Sequence, residues 1–152
     1  MNEIRLGRML LAGLTMFVVW IALEILVEQV VSRILFAQTS QEMWLGTIDL
    51  SDWSALNFVV NIAIGLLNCI VLIWLYASLR PMYGVGTRTA LITSAFGVIW
   101  GLSLFVNIIN LGLIPARIGL IEAVFVTIEL PIAMIAGATV YEGNEKGVRE
   151  AA

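Results

Sequence analysis

Four apolar segments dominate this sequence, and each is long enough to cross a lipid bilayer. They cover about residues 6–36, 54–79, 87–113 and 116–141. A bilayer core of about 30 Å needs roughly 20 apolar residues in a helix. The first segment exceeds one perpendicular crossing, so we expect it to tilt or to extend beyond the hydrocarbon. The pattern predicts an all-α integral membrane protein, a four-transmembrane-helix bundle of two hairpins in a single membrane domain over residues 1–152.

The composition agrees with this fold and excludes several classes of function. Hydrophobic residues make up 61% of the 152 residues and charged residues only 12%, about half the charged share of a soluble domain. The net charge of −3 is scattered without a basic patch, so we expect no nucleic-acid partner. Histidine is absent and Cys69 is the single cysteine, which excludes an internal disulfide and histidine-ligated metal or haem. We therefore expect no metal and no cofactor, and the lipid bilayer as a partner.

The clearest break in the apolar pattern lies between the second and third segments. The second helix is predicted to end at Arg80-Pro81, because the residue before a proline is pushed out of the helical region. Gly84 and Gly86 permit a tight return of the chain. Thr87 is predicted to cap the third helix. The break therefore joins two predicted membrane hairpins.

The other connections are also visible in the sequence. Residues 37–53 form the longest polar stretch, and Ser51 or Asp52 is predicted to cap the second helix. Pro115 is predicted to start the fourth helix, since a proline at that position loses no helical hydrogen bond. Residues 142–152 form a short charged tail.

Basic residues are distributed unevenly about the four segments. The N-terminal region, the central break and the tail contain Arg5, Arg8, Arg80, Arg88, Lys146 and Arg149, whereas the other two loops contain Arg33 and Arg117. The positive-inside rule then predicts that both termini, and the tail, are cytoplasmic. No small-residue cleavage pattern follows the first apolar run, so we expect an uncleaved first span. An inner aromatic belt is expected from Trp74, Tyr76, Tyr83 and Tyr141.

Four glutamates fall within the predicted spans. Glu24 and Glu28 are four residues apart on one face of the first helix, and Glu122 and Glu129 are seven apart on one face of the fourth. Carboxylates at membrane depth are costly and usually face the bundle or water. Pro131 follows Glu129 closely, so we expect a kink beside that glutamate.

Asparagines extend this set to the two remaining helices. Asn57, Asn61 and Asn68 have helical spacing on the second helix, and Asn107 and Asn110 lie near the outer end of the third. These nine residues form a candidate polar cluster that either holds the helices together by hydrogen bonds or lines an outward-open cavity for a cation, a proton or a small polar ligand. A third interpretation is chance placement, with Glu28 and Glu122 at the membrane interface.

Small residues indicate two faces for close helix packing. Gly97 and Gly101 form a GxxxG motif on the third helix, and Ala133 and Ala136 continue the glutamate face of the fourth. The glycine face predicts packing against another helix, another copy of the chain or a larger membrane complex. The sequence contains no nucleophile motif and no histidine-containing metal motif, so it does not favour an enzyme.

The central break also resembles a known pattern. Residues 74–90, WLYASLRPMYGVGTRTA, are similar to a helix end and turn found in small, uncharacterised bacterial four-span membrane proteins. Later matches to that group are residues 113–117, 129–131, 136–138 and 141–142, whereas the N-terminal half, with Glu24, Glu28 and the 37–53 loop, matches less well. The resemblance implies a bacterial inner-membrane protein and transfers no activity and no catalytic residue.

Two functional hypotheses follow. The first is a non-catalytic structural or accessory membrane protein, which the small size and the GxxxG face favour. The alternative is carboxylate-dependent binding or transport of a cation, a proton or a small polar ligand, which the intramembrane glutamates favour.

Overall fold

Four long helices account for nearly all of the described chain. The computed structural model describes residues 5–30, 33 and 54–143. The helices are α1 (Leu6–Gln29), α2 (Ala55–Tyr83), α3 (Thr87–Asn110) and α4 (Ala116–Glu142). Each is long and apolar enough to cross a membrane, and no strand occurs within the described residues. The predicted all-α, four-helix membrane bundle is therefore confirmed.

Several predicted features lie outside the described residues. These are most of the extension of the first segment beyond Gln29, the 37–53 loop, the caps at Ser51 and Asp52, and the tail after Gly143. Within the described residues, Ser54 caps α2: its hydroxyl oxygen accepts a hydrogen bond from the backbone N–H of Asn57, with N and Oγ 3.3 Å apart.

The central break differs from its prediction at both helix ends. Helix α2 continues through Pro81 to Tyr83, because a proline in the last turn removes only one helical hydrogen bond. Gly84 and Gly86 have positive φ angles of 86° and 109°, as a tight return requires. Thr87 is the first residue of α3 and caps nothing, since Gly86 occupies the N-cap position. The chain therefore turns within three residues, 84–86.

The end of α3 is set by backbone hydrogen bonds around one glycine. Gly112 has φ 70°, its N–H donates to the carbonyl of Ile109, and the N–H of Leu113 donates to the carbonyl of Ile108. This pattern is a Schellman motif, which satisfies the last carbonyls of a helix. It ends α3 at Asn110, three residues before the predicted end. Pro115 then occupies the N-cap position of α4, one residue before the first helical position that was predicted for it, and the helix begins at Ala116.

The four helices pack in chain order around the bundle, and α4 closes the ring against α1. Helix α2 also touches α4 across the centre. In the apolar stretch of α4, 50% of the residues are buried, whereas 17–22% are buried in the corresponding stretches of the other three helices. Helix α4 is therefore the element against which the others pack, and it runs without interruption through Pro131.

Small residues bring α1 and α4 close together. A Cβ on Gly137 would lie 2.9 Å from the Met16 Cβ and 3.0 Å from the Ala12 carbonyl oxygen, which is too close for any side chain. Ala133 is fully buried beside this contact, and Ala136 is half-buried. The face of α4 that carries these small residues therefore packs against α1. The close contact is at Gly137, one helical turn after Ala133.

Candidate functional site

The four intramembrane glutamates lie together between α1 and α4. The two helices are antiparallel, so the end of α1 that carries Glu24 and Glu28 faces the beginning of α4. Glu122 lies within electrostatic reach of Glu24 and Glu28, and Glu129 within reach of Glu24 and Glu122. We call these four residues the carboxylate cluster. Each helix contributes two glutamates to the cluster. Both glutamates of a pair face the same way because their spacing places them on one face of the helix.

Burial differs within the carboxylate cluster. Glu129 is 3% exposed and Glu122 is 8% exposed, whereas Glu24 and Glu28 are half-buried. Ionised carboxylates this close repel one another, and burial removes the water that would screen them. The cluster therefore favours an added positive charge, whether a proton or a larger cation.

A cavity opens beside the carboxylate cluster. Its larger compartment has a volume of about 380 Å³ and is walled by all four helices, with Glu24, Asn68 and Glu122 among mostly apolar side chains. A smaller compartment of about 160 Å³ is lined by Glu24, Glu28, Phe105 and Glu122. The two compartments share Glu24, Phe105 and Glu122, so they adjoin at the carboxylates. We call the pair the carboxylate cavity.

Polar atoms at this site lack hydrogen-bond partners. Among the described residues none donates a hydrogen bond to Glu122. Within the described part of the chain, the buried Oε1 atom of Glu129 and the buried Nε1 atom of Trp20 make no hydrogen bond of good geometry, although the two side chains are neighbours. An unpaired buried polar group costs about 1–3 kcal/mol. A proton, a water or a ligand that satisfied these atoms would therefore stabilise the folded chain.

Only one of the five predicted asparagines lines the carboxylate cavity, and it is Asn68. Asn57 and Asn61 lie in a stretch of α2 that is exposed on every face, and the Asn61 amide donates to the Asn57 carbonyl oxygen at 2.9 Å. Asn107 and Asn110 are exposed on α3. Because α3 turns Gly97, Gly101 and Phe105 toward the cavity, positions two residues away point to the opposite side. The structure therefore brings together the glutamates and Asn68 and leaves four asparagines outside.

The GxxxG motif of α3 packs within this chain. A Cβ on Gly97 would lie 3.0 Å from the Leu72 Cδ1, and one on Gly101 would lie 3.3 Å from the Val126 Cγ2. Both glycines also line the carboxylate cavity. The motif therefore lets α3 approach α2 and α4, rather than presenting a free face to another copy.

A second polar cluster lies at the opposite end of the bundle, and the sequence interpretation did not identify it. The Tyr76 hydroxyl donates to the Glu142 carboxylate and accepts from the Gly86 N–H, with O and N 3.1 Å apart. The Tyr141 ring packs edge-on against the Tyr76 ring at 6.1 Å between centroids. Tyr76 and Tyr141 were expected in an aromatic belt, but they are 0% and 5% exposed. We call Tyr76, Gly86, Tyr141 and Glu142 the end cluster.

Contacts from other helices complete the end cluster. The Arg8 guanidinium donates to the Glu142 carbonyl oxygen at 3.1 Å, and the Arg80 guanidinium lies 5.5 Å from the centre of the Tyr141 ring. These contacts tie α1 and the end of α2 to the end of α4. A sequence signal did exist, because Glu142 follows a span that ends on the same side as Arg5, Arg8 and Arg80.

The chemistry of the carboxylate cavity is acid–base and electrostatic. The described residues contain no group of three or more histidine, cysteine, aspartate or glutamate side chains placed to hold one metal ion. Cys69 is a free thiol, 1% exposed, in the cavity wall. No protein-family model, no curated protein and no solved structure matches this chain.

Proposed function

We propose that this integral membrane protein binds a cation or a proton at the carboxylate cluster. The observation that carries the proposal is Glu122, a buried carboxyl that lines the cavity beside Glu24 and Glu28 and receives no hydrogen bond from the described residues. Intramembrane carboxyls that face a cavity are costly to maintain and mark ion or proton sites in membrane proteins. If Glu122 served only to hold the helices together, we would expect its carboxyl group to form a hydrogen bond with a side chain on a neighbouring helix.

Carbodiimide labelling tests this proposal. Dicyclohexylcarbodiimide reacts with carboxyl groups in apolar surroundings, and mass spectrometry of the purified, detergent-solubilised chain locates the adduct. We expect adducts on Glu122 or its cluster neighbours. Labelling should become slower when the pH is raised or when a bound cation protects the carboxyl groups. The cations to be tested are sodium, potassium, guanidinium, tetramethylammonium and benzyltrimethylammonium, and at least one of them should protect. Glu122→Gln should abolish the protection by cations at the remaining glutamates.

The matched control is Glu150→Gln, which removes a carboxylate after the end of α4 in the sequence. It should label and protect like the parent chain. Absence of any adduct on the carboxylate cluster, or labelling that neither cations nor pH affect, would refute binding at this site.

We also propose, as a second candidate function, an accessory role in a membrane complex. Residues 55–64 of α2 are exposed on every face, although this stretch belongs to a membrane-length helix and carries Asn57 and Asn61. Asparagine amides in hydrocarbon stabilise contacts with polar side chains of neighbouring helices. The occupant that fits is a membrane helix of a second protein with a polar residue at the depth of Asn61.

Site-specific photocrosslinking distinguishes this accessory role. A benzophenone amino acid at Val60 should give a protein adduct in native membranes, and the adduct's partner should co-purify in stoichiometric amount with the unmodified chain. A benzophenone at Leu120, exposed on α4, is the control. Adducts to lipid alone would refute the accessory role at α2, and an adduct of twice the chain mass would replace it with self-association.

We further propose that both termini are cytoplasmic and that the membrane is a bacterial inner membrane. The asymmetry of lysine and arginine supports the orientation, and the resemblance of residues 74–90 supports the compartment. In this orientation the carboxylate cavity lies in the outer half of the membrane, because Glu28 and Glu122 are near the outer ends of their helices. A reporter that is active only in the cytoplasm should be active when it is fused after Ala152, and a reporter that is active only outside the cytoplasm should be inactive there. The opposite result would overturn the orientation.

A further inference from the structure

The carboxylate cavity is divided into an apolar part and an acidic part. Leu72, Val126 and Leu130 line only the larger compartment, Glu28 lines only the smaller one, and Glu24 and Glu122 line both. An occupant of both compartments would contact hydrocarbon side chains along most of its length and carboxylates at one end. This division distinguishes the site from a simple ion site, in which polar groups surround the ion on all sides.

The volume of the larger compartment fits an organic molecule. Small-molecule sites have volumes of roughly 300–1,000 Å³ and are lined mainly by apolar and aromatic side chains with a few polar groups. The larger compartment, at about 380 Å³, lies within that range. A small inorganic cation at the carboxylates would leave the apolar wall facing water or an empty space, which is unfavourable.

The charge of the cavity selects a cation. Three carboxyls line the two compartments, and no lysine or arginine from the described part of the chain does so. Within the carboxylate cluster, Glu122 itself points to a ligand, because it is buried, lines the cavity and accepts no hydrogen bond from a described residue. Trp20 and Trp100 add aromatic rings to the wall, and such rings attract organic cations through their faces.

We propose that the carboxylate cavity binds an amphipathic organic cation. The ammonium- or guanidinium-type head lies at Glu24, Glu28 and Glu122, and the apolar body lies against Leu72, Val126 and Leu130. This inference rests on the proposed cation binding at the carboxylate cluster and specifies the chemical class of the ligand. The large apolar wall selects against small hydrophilic cations, and the three carboxyls select against neutral hydrocarbons.

A set of three matched probes tests the assignment. Benzyltrimethylammonium carries both parts, tetramethylammonium carries only the charge, and neopentylbenzene is the neutral carbon analogue of the first. Binding is followed by tryptophan fluorescence of the full chain in nanodiscs of zwitterionic lipid, with empty nanodiscs as the blank. Trp100→Phe should remove part of the signal, because Trp100 lines the cavity.

Burial of a phenyl ring strengthens binding by at least about tenfold, so benzyltrimethylammonium should bind at least about tenfold more tightly than tetramethylammonium. It should also bind at least about tenfold more tightly than neopentylbenzene. Glu122→Gln should weaken the binding of benzyltrimethylammonium by about tenfold or more, and Glu150→Gln should not change it. Val126→Phe, which fills the apolar part, should weaken benzyltrimethylammonium and leave tetramethylammonium unchanged.

The possible outcomes separate this inference from the function on which it rests. Equal binding of the two cations, both weakened by Glu122→Gln, would overturn the amphipathic ligand and retain cation binding. Equal binding of neopentylbenzene and benzyltrimethylammonium would overturn both. Should Glu122→Gln not fold, the Val126→Phe comparison still decides the position of the apolar body, since equal effects on both cations would contradict it.

Discussion

Removing the Tyr76 hydroxyl is predicted to destabilise the bundle, because this group links three parts of the end cluster. In Tyr76→Phe, the buried Glu142 carboxylate loses a donor and the half-buried Gly86 N–H loses an acceptor. A hydrogen bond to a carboxylate contributes about 1.5–3 kcal/mol and one between neutral groups about 1 kcal/mol, so the expected loss is about 2.5–4 kcal/mol. For a chain of this size, that loss lowers the Tm by roughly 5–15 °C.

The single cysteine provides the assay. Cys69 is 1% exposed, so a maleimide dye that fluoresces on reaction with a thiol reports its exposure as the helices separate on heating. Tyr83→Phe is the matched control, because it is the same substitution near the end of the same helix at an exposed side chain. A Tm for Tyr76→Phe within about 1 °C of the Tyr83→Phe value would refute a stabilising role for the end cluster.

Three further predictions concern helix packing and the cavity. Gly137→Ala should lower the Tm by the equivalent of about 1–3 kcal/mol, because its Cβ would lie 2.9 Å from the Met16 Cβ, whereas Gly7→Ala, with nothing within 4 Å, should not lower it. Asn107→Leu should leave the Tm and cation binding unchanged, since this asparagine is exposed on α3. Asn68→Leu should weaken the binding of benzyltrimethylammonium in the fluorescence titration, because Asn68 lines the cavity, and identical behaviour of the two asparagine variants would contradict this placement.

The carboxylate cluster was within reach of sequence reasoning because its spacing is local. Residues four or seven apart share a helix face, so each pair of glutamates could be assigned to one side of α1 or α4 without knowledge of the fold. Antiparallel pairing of the first and last helices then places Glu24 near Glu129. The asparagines of α2 also show helical spacing, but the structure leaves Asn57, Asn61, Asn107 and Asn110 exposed.

The pairing of Tyr76 with Glu142 in the end cluster was out of reach for a different reason. Tyr76 and Glu142 are 66 residues apart, and nothing in the local pattern of either residue indicates that the other is its partner. Aromatic residues near the end of a span usually lie at the headgroup level, which led to the belt prediction for Tyr76 and Tyr141. Their burial depends on how the central turn and the end of α4 meet.

The sequence by itself determined the number and the approximate bounds of the membrane-length helices in the described part of the chain. These properties follow from the run length of apolar residues and the thickness of a bilayer, and both are local quantities. Only the tertiary structure decided the rotation of each helix about its axis. This rotation places Asn68 in the cavity wall, leaves Asn107 exposed and turns Gly97 toward the neighbouring helices. Lipid and helix interiors are equally apolar, so the sequence pattern does not indicate which face of a membrane helix meets protein.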